Sequence, residues 1–217
     1  MDLLGAGAFN HPRLWEEMQK RFPLYREIYE NPSPYRPDVG IVVDEESKFF
    51  IHDDWDANFR LLKTIRNHSM HAGASVGFYL LDDFLSGGST RCDVYVFPNA
   101  FVLSDDEAAA LNARLAEERA PALWVYGAGC VTEEGYSAAR IARTTGIEVK
   151  PEPGRQGSTG EGLLEGMAWG IHNTVEPRPV VVESEDVEII GRYVDDGKAS
   201  AAWTRMGDRY SAFIGDI

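Results

Sequence analysis

Apolar residues in the first part of the chain recur at helical spacing, and further on they gather into short unbroken runs. Between residues 12 and 29 they fall three or four positions apart, which predicts an amphipathic helix. Pro23 should bend or split it, because proline lacks the amide hydrogen that a helix interior uses. Three prolines within residues 32–37 predict an extended linker. We therefore divide the chain into an N-terminal helix and linker, residues 1–37, and a main domain, residues 38–217.

Short apolar runs then alternate with amphipathic stretches as far as residue 146. The runs do not alternate with polar residues, which is typical of parallel strands covered on both faces. Ser104 and Glu107 form a capping-box pattern that predicts a helix start. The order of elements favours a parallel α/β sheet with helices on both sides. The predicted strands, the first with its following loop, are 39–47, 75–81, 93–98 and 122–126, and the predicted helices are 55–71, 104–119 and 137–145.

The last third of the chain has a different pattern. Residues 151–162 are polar and rich in glycine, and they predict a loop. From Val180 onward, strand-like runs are separated by turn residues, and Asp195-Asp196-Gly197 is a hairpin signal. We expect antiparallel strands at the edge of the main sheet.

Charge and cysteine content narrow the functional classes. The 217 residues contain 35 Asp and Glu against 21 Lys and Arg, a net charge of −14. This excess argues against nucleic acid and against an anionic membrane surface as partners. No apolar run approaches the ~20 residues of a membrane-spanning helix. Two cysteines form no disulfide framework, so a reducing, cytoplasmic location is expected.

Candidate chemistry lies where the predicted parallel strands end, because open α/β sheets bind ligands there. Four loops meet this condition, and one of them is 81–83. From the other three we take a set of residues, called here the strand-end rim, as a possible ligand site or interface. The rim consists of Asp44, Glu45, Glu46, Ser47, Asn99, Gly127, Gly129 and Cys130.

Cys130 is the most reactive residue type in the rim. Amidotransferases of class I present a nucleophilic cysteine as Gly-x-Cys-x-Gly after a strand, but here Gly129 occupies the cysteine position. No histidine follows His172, so the usual base is missing from the late strands. We therefore predict no catalytic residue. A small cysteine-dependent hydrolase or amidotransferase, using Cys130 with His172, remains the alternative.

The acidic and histidine residues allow two further interpretations. Adjacent carboxylates such as Asp44 and Glu45 do not define the spacing that a glycosidase needs. His68 and His71 end a predicted helix, and His52 precedes two capping acids, so no cluster has metal-ligand spacing. We expect no metal and no cofactor. A sugar-binding module that uses the acidic rim is the second alternative.

Several stretches together resemble a known family. VGIVVDEESKFF (39–50), DVYVFPNAFVLSDDE (93–107), ALWVYGAGCVTEEGYS (122–137) and GRYVDDGKASAAW (191–203) are similar to the β-galactosidase trimerisation domain of family 42 glycoside hydrolases. The resemblance covers about residues 38–215. It implies a flavodoxin-like three-layer sandwich like that of class I glutamine amidotransferases, mostly parallel and with the catalytic triad missing.

The resemblance also implies a function. In the family this domain follows a (β/α)8 barrel that carries the catalytic glutamates, and it helps to build a trimer. The chain has no room for that barrel, so no catalytic residue is transferred to it. The expectation is a non-catalytic accessory domain, a piece of a longer β-galactosidase-like protein. Its expected partners are further copies of itself and the absent barrel.

Overall fold

The computed structural model describes residues 11–32, 35–50, 59–154, 157–170 and 176–216. The chain forms two compact units, residues 1–35 and 36–217. The first unit contains helix α1, Pro12–Glu30, which begins with proline at its first position, where no amide hydrogen is needed. The helix continues through Pro23, so the predicted split is wrong. None of its side chains is buried.

The second unit is built on one nine-stranded mixed sheet with the order β2-β1-β3-β4-β13-β12-β11-β8-β9. Strands β1 to β4 run parallel, and β13 runs parallel to β4. Beyond β13 the remaining strands pair antiparallel. The strands of this sheet are β1 Val39–Val43, β2 Val76–Leu80, β3 Val94–Phe97, β4 Ala122–Val125, β8 Ser158–Gly160, β9 Ala168–Trp169, β11 Val187–Tyr193, β12 Ala199–Met206 and β13 Arg209–Ile214.

Two short ribbons, four helices and two short 3-10 helices, Ser47–Phe49 and Gly162–Leu164, complete this unit as far as it is described. Strand β5, Val131–Thr132, pairs with β6, Gly135–Tyr136, and β7, Val149–Glu152, pairs with β10, Arg178–Val181. Helix α2 starts as a π-helix and continues as an α-helix. The helices are α2 Phe59–Thr64 with Ile65–Ser69, α3 Leu81–Leu85, α4 Asp105–Glu118 and α5 Ala138–Thr145.

Several local predictions are confirmed. The four parallel strands lie where the apolar runs placed them, within one or two residues. The capping box is formed: Ser104 Oγ accepts from the amide of Glu107, and the Glu107 carboxylate accepts from the amide of Ser104 at 2.8 Å. Gly146 ends α5 with φ +76°, a backbone conformation that favours glycine. The predicted helix at 55–71 is described from residue 59 onward, and His52 with its capping acids lies outside the described residues.

Three predictions require correction. Residues 81–83 form the first turn of α3 rather than a loop, since Asp82 and Asp83 favour a helix N-terminus. The predicted loop at 151–162 contains strand β8 and the end of β7. The late strands β11, β12 and β13 pair antiparallel, as predicted, but they do not form the edge of the sheet, because β13 pairs with β4 in the interior and the sheet ends at β2 and β9. The turn at 195–197 does join β11 to β12, as predicted.

An aromatic layer forms the core under α3 and α4. Phe97 stacks on Trp124 with ring centroids 4.3 Å apart, and Phe84 meets Phe97 edge-on at 5.8 Å. The indole Nε1 of Trp124 donates to Ser211 Oγ at 3.0 Å, so its polar atom is satisfied inside the core. One residue, Val125, separates Trp124 from the turn that follows β4. The aromatic layer therefore supports the strand-end rim.

Candidate functional site: the strand-end rim

Ser47 is the centre of a hydrogen-bond network in the rim. Its side chain is fully buried. Ser47 Oγ accepts from the backbone amides of Phe101 at 2.8 Å and Val102 at 2.9 Å, and it donates its proton to Asp44. A hydroxyl has one proton and two acceptor positions, so the hydrogen-bonding capacity of Ser47 is fully used.

Asn99 closes the same network from the end of β3. Its Nδ2 donates to the Asp44 carbonyl at 2.6 Å, and its Oδ1 accepts from the Asp44 amide at 3.0 Å. This pair of bonds joins the loops that follow β1 and β3. The amide of Glu46 donates to Asp44 Oδ1 at 3.0 Å. Both carboxylate oxygens of Asp44 are therefore occupied by groups of the protein itself.

Asp44 carries an electrostatic cost in this position. Burial raises the pKa of its carboxyl above the ordinary value, while hydrogen bonds from Ser47 and from nearby amides act in the opposite direction. Glu45 and Glu46 are exposed to solvent. The acidic run thus separates into one buried structural carboxylate, Asp44, and two surface carboxylates.

The raised pKa of Asp44 predicts a pH dependence of stability. A carboxyl whose folded pKa exceeds its unfolded value, ~3.9, contributes stability that is full below that value and is lost as pH rises through the folded pKa. Urea denaturation of the wild type and of Asp44→Asn gives the difference between their free energies of unfolding. We expect this difference, wild type minus variant, to decrease as the pH is raised from 4 to 7. Other carboxylates, such as Asp105, contribute equally to the pH dependence of both proteins, so their contributions cancel in this difference. A difference that grows with pH would contradict the role assigned to Asp44.

The turn after β4 is tied to the same network through the backbone. Tyr126, directly after β4, has φ +66°, a left-handed conformation that is uncommon for tyrosine. The Gly129 amide donates to the Ala100 carbonyl at 2.8 Å, and the Val131 amide donates to the Phe101 carbonyl at 3.0 Å. The loops that follow β1, β3 and β4 therefore form one connected rim.

Cys130 is packed inside this turn. It is 2% exposed, and desolvation by burial raises the pKa of its thiol to about 12. A Cβ atom added to Gly127 would lie only 2.8 Å from Cys130 Sγ, so the sulfur rests directly on the glycine. Reactive cysteines show the opposite properties, namely exposure and a lowered pKa. His172, the base of the cysteine-dependent alternative, lies outside the described residues.

Both thiols should react slowly in the folded protein. Cys92 is also buried, and burial raises the pKa of its thiol. For Cys130 the rise from 9.0 to about 12 lowers the thiolate fraction roughly 1,000-fold at neutral pH. We expect iodoacetamide at pH 7 to label native protein at least ~100-fold more slowly than free cysteine. Labelling of Cys130 at the rate of free cysteine or faster would support the hydrolase alternative instead.

The cysteines also lie far from each other along the sheet. Cys92 precedes β3 and Cys130 follows β4, and these strands are parallel neighbours. The two residues therefore lie at opposite ends of the strands, and both are free thiols. Denatured, unreduced protein should give two thiols per chain with Ellman's reagent.

Sequence reasoning missed a second set of anchoring contacts beside the rim. The Tyr126 hydroxyl donates to the Pro177 carbonyl at 2.7 Å. Asp216 is buried and accepts from the Gly157 amide at 2.8 Å and from Ser158 Oγ at 2.7 Å. The first bond joins the turn after β4 to the residue before β10, and the other two join Asp216 to the start of β8, so each connects segments that are far apart in sequence. In the sequence, these contacts were indicated only by one aromatic residue, Tyr126, directly before the glycines of the turn.

The described residues also bear on two other classes of site. Within the described ranges, no group of three or more His, Cys, Asp or Glu side chains is arranged to hold a metal ion. No described helix combines the length and the hydropathy needed to cross a membrane.

The fold and the rim define a class: an α/β domain with a large mixed sheet whose strand-end loops are closed by their own hydrogen bonds. No protein-family model and no curated protein matches the sequence. Among solved structures, the chain is similar to β-galactosidase from the psychrophilic Marinomonas ef1, with 12% identity and a TM-score of 0.56 over 94% of this chain. The chain spans 31% of that enzyme.

The comparison with solved structures also finds two others. The N-terminal domain of mmIFT52 matches 82% of this chain and 86% of its own length, with 10% identity and a TM-score of 0.50. A β-galactosidase from Bifidobacterium adolescentis matches 84% of this chain and 92% of its own, with 16% identity and a TM-score of 0.43. At these identities the likeness to the Marinomonas enzyme and to the mmIFT52 domain establishes a shared fold.

Proposed function

We propose that the chain is a non-catalytic accessory domain that assembles a β-galactosidase-like glycoside hydrolase. The observation that carries the proposal is the closed rim. Asp44, Ser47 and Asn99 are buried and bonded to one another and to the backbone, at the place where a fold of this kind would bind a ligand. Side chains committed in this way hold loops together and have little capacity left for a substrate.

The architecture supports the same proposal. The order β2-β1-β3-β4 followed by a fifth parallel strand, β13, is that of a flavodoxin-like sheet, so we assign the chain to the flavodoxin-like and amidotransferase-like sandwiches. The turn after β4 corresponds to the position of an amidotransferase nucleophile. Here Tyr126 and Gly127 follow the strand, and Cys130 is buried beneath them with a raised pKa.

The link to glycoside hydrolases rests on the shared fold and on the sequence resemblance. The chain aligns with less than a third of the Marinomonas β-galactosidase, as expected if it is one domain of a larger enzyme. Its partners would be further copies of itself, with a trimer as the specific expectation, and a separate (β/α)8 catalytic domain.

The native size of the protein tests this proposal. Antibodies raised against the chain should detect a polypeptide much longer than 24.1 kDa, and that species should hydrolyse a nitrophenyl β-galactoside after immunoprecipitation. The isolated chain should be inactive in the same assay. A native species of 24 kDa without glycosidase activity would contradict the proposal, and galactosidase activity of the isolated chain would contradict its non-catalytic part.

The alternative of a sugar-binding module remains less favoured. Of the three acids in the rim, Glu45 and Glu46 are exposed on the surface. The third, Asp44, accepts hydrogen bonds from the protein itself. Thermal-shift measurements with galactosides separate the alternatives. A rise in Tm that is abolished by replacing Glu45 and Glu46 would favour sugar binding by the rim.

A further inference from the structure

An open groove lies on strands β11 and β12 of the main sheet, away from the rim. Its volume of about 420 Å³ falls within the range of ~300–1,000 Å³ that is typical of ligand sites. Four of its side chains are charged and exposed, and a partly buried tryptophan lies among them. We call these five residues the Trp203 groove: Glu185, Asp186, Glu188, Trp203 and Arg205.

The register of the strands brings these groups to one face of the sheet. Glu188 lies directly opposite Trp203 in the antiparallel pair of β11 and β12, so their side chains are on the same side, with Cβ atoms ~4.5–5.5 Å apart. Arg205 is two residues after Trp203 in β12 and therefore shares that face. Thr204 Oγ1 donates to the Asp186 carbonyl at 2.7 Å, which fixes the segment before β11 beside β12.

The protein itself does not use the charged groups of the Trp203 groove. Among the described residues, the carboxylates of Glu185, Asp186 and Glu188 take part in no hydrogen bond and no ion pair. Arg205 is held through Nε, which donates to the Gly207 carbonyl at 3.0 Å, and its two terminal nitrogens have no partner in the same part of the chain. The groove thus differs from the rim, whose polar groups are bonded to one another.

Trp203 provides an apolar surface between these charged groups. Tyr210 meets its ring edge-on, with the two centroids 5.1 Å apart. On β13 the residue opposite Trp203 is Ala212, whose side chain is small. The face of an aromatic ring carries partial negative charge and attracts partly positive C–H hydrogens. The groove therefore combines one flat apolar surface with hydrogen-bond acceptors and donors around it.

We propose that the Trp203 groove binds a neutral sugar in its pyranose form, with one sugar ring packed on Trp203. A pyranose ring has an apolar face of C–H groups and carries hydroxyl groups around its edge. Each hydroxyl can donate and accept, whereas a carboxylate only accepts and a guanidinium only donates. The carboxylates and Arg205 together therefore match a ligand with many hydroxyl groups. Three carboxylates against one guanidinium disfavour an acidic sugar.

The inference goes beyond the proposed function and does not depend on it. The rim lies at the end of β13, where the Tyr126 amide donates to the Ile214 carbonyl at 2.7 Å. Tyr210, beside Trp203, lies four residues earlier in β13, a distance of ~14 Å along the strand. An open groove covers only one side of a sugar, so the dissociation constant should be on the order of 1 mM.

Saturation-transfer difference NMR of the full chain with lactose tests the proposal, because it detects millimolar binding and identifies the ligand hydrogens that contact the protein. We expect signals from ring C–H hydrogens. Trp203→Ala should weaken binding at least ~10-fold, and Trp203→Phe, which keeps an aromatic face, less than ~3-fold. Trp15→Ala removes an exposed tryptophan from α1 and should change binding less than ~2-fold.

A second variant and two further ligands make the test specific. Glu188→Gln changes the charge opposite Trp203 but not the size, and it should weaken binding at least ~3-fold even if circular dichroism shows that Trp203→Ala is misfolded. Galacturonic acid should bind at least ~5-fold more weakly than galactose, because the groove is acidic. Sorbitol, which has hydroxyl groups but no ring, should give no signal that depends on Trp203.

The outcomes that would overturn the groove are distinct from those that bear on assembly. Absence of lactose binding at about 20 mM, twenty times the expected dissociation constant, would contradict the proposal. Equal binding by the wild type, Trp203→Phe and a folded Trp203→Ala would contradict it as well. Neither result changes the molar mass in solution, on which the assembly proposal is judged.

Discussion

Replacing Trp124 with alanine should lower the free energy of unfolding by about 3–5 kcal/mol, the largest effect expected from one substitution in this chain. Trp124 is fully buried, stacks on Phe97 and donates to Ser211. Its removal leaves a large cavity in the aromatic layer and a serine hydroxyl without its donor, and both effects destabilise the folded state.

Urea denaturation followed by circular dichroism measures the effect of Trp124→Ala. Leu163→Ala is a suitable control, because Leu163 is 89% exposed and should change stability by less than about 0.5 kcal/mol. A loss below about 1 kcal/mol for Trp124→Ala would mean that the sheet does not pack on this layer as described. The position of the turn after β4 would then lose its support.

Replacing Ser47 with alanine should cost about 3 kcal/mol, which is large for the loss of one hydroxyl group. The substitution removes the partner of the buried Phe101 amide and of the partly buried Val102 amide, and one partner of the buried Asp44 carboxylate. Each unsatisfied buried group costs about 1–3 kcal/mol, and partial relaxation of the loop reduces the sum.

A matched control for Ser47→Ala is Ser86→Ala, which removes an exposed hydroxyl that bonds to the Asp83 carbonyl at 3.3 Å. This control should change stability by less than about 0.5 kcal/mol. Equal effects of the two substitutions would show that the rim network does not hold the loops together. The argument against a ligand site in the rim would then fail as well.

The parts of the fold that local signals determine were predictable from the sequence. The capping box at Ser104, the glycine after α5 and the unbroken apolar runs each correspond to one element. Asp82 and Asp83 were also a helix-start signal, and α3 was missed because it has only five residues. The pairing of β13 with β4 was not predictable, because residues some 90 positions apart meet there and no local pattern records which strand is the neighbour.

The rim, like the fold, could be predicted from the sequence only in part. The sequence indicated that acids, an asparagine and a cysteine follow successive strands, and the structure brings Asp44, Ser47 and Asn99 together. Whether these side chains are open to a ligand depends on the hydrogen bonds that Ser47 accepts from the amides of Phe101 and Val102. Those amides lie about 55 residues further along the chain. Because of those contacts, the polar groups of the candidate site hold the loops together instead of facing a ligand. Burial likewise decides the state of Cys130, and burial depends on the packing of the whole turn.

The central claim is that the chain acts by assembling with copies of itself, and its molar mass in solution tests that claim most directly. Size-exclusion chromatography with light scattering at loading concentrations up to ~300 µM should give a mass that rises above 24.1 kDa as concentration increases. A constant mass of 24.1 kDa across the whole range would contradict the account.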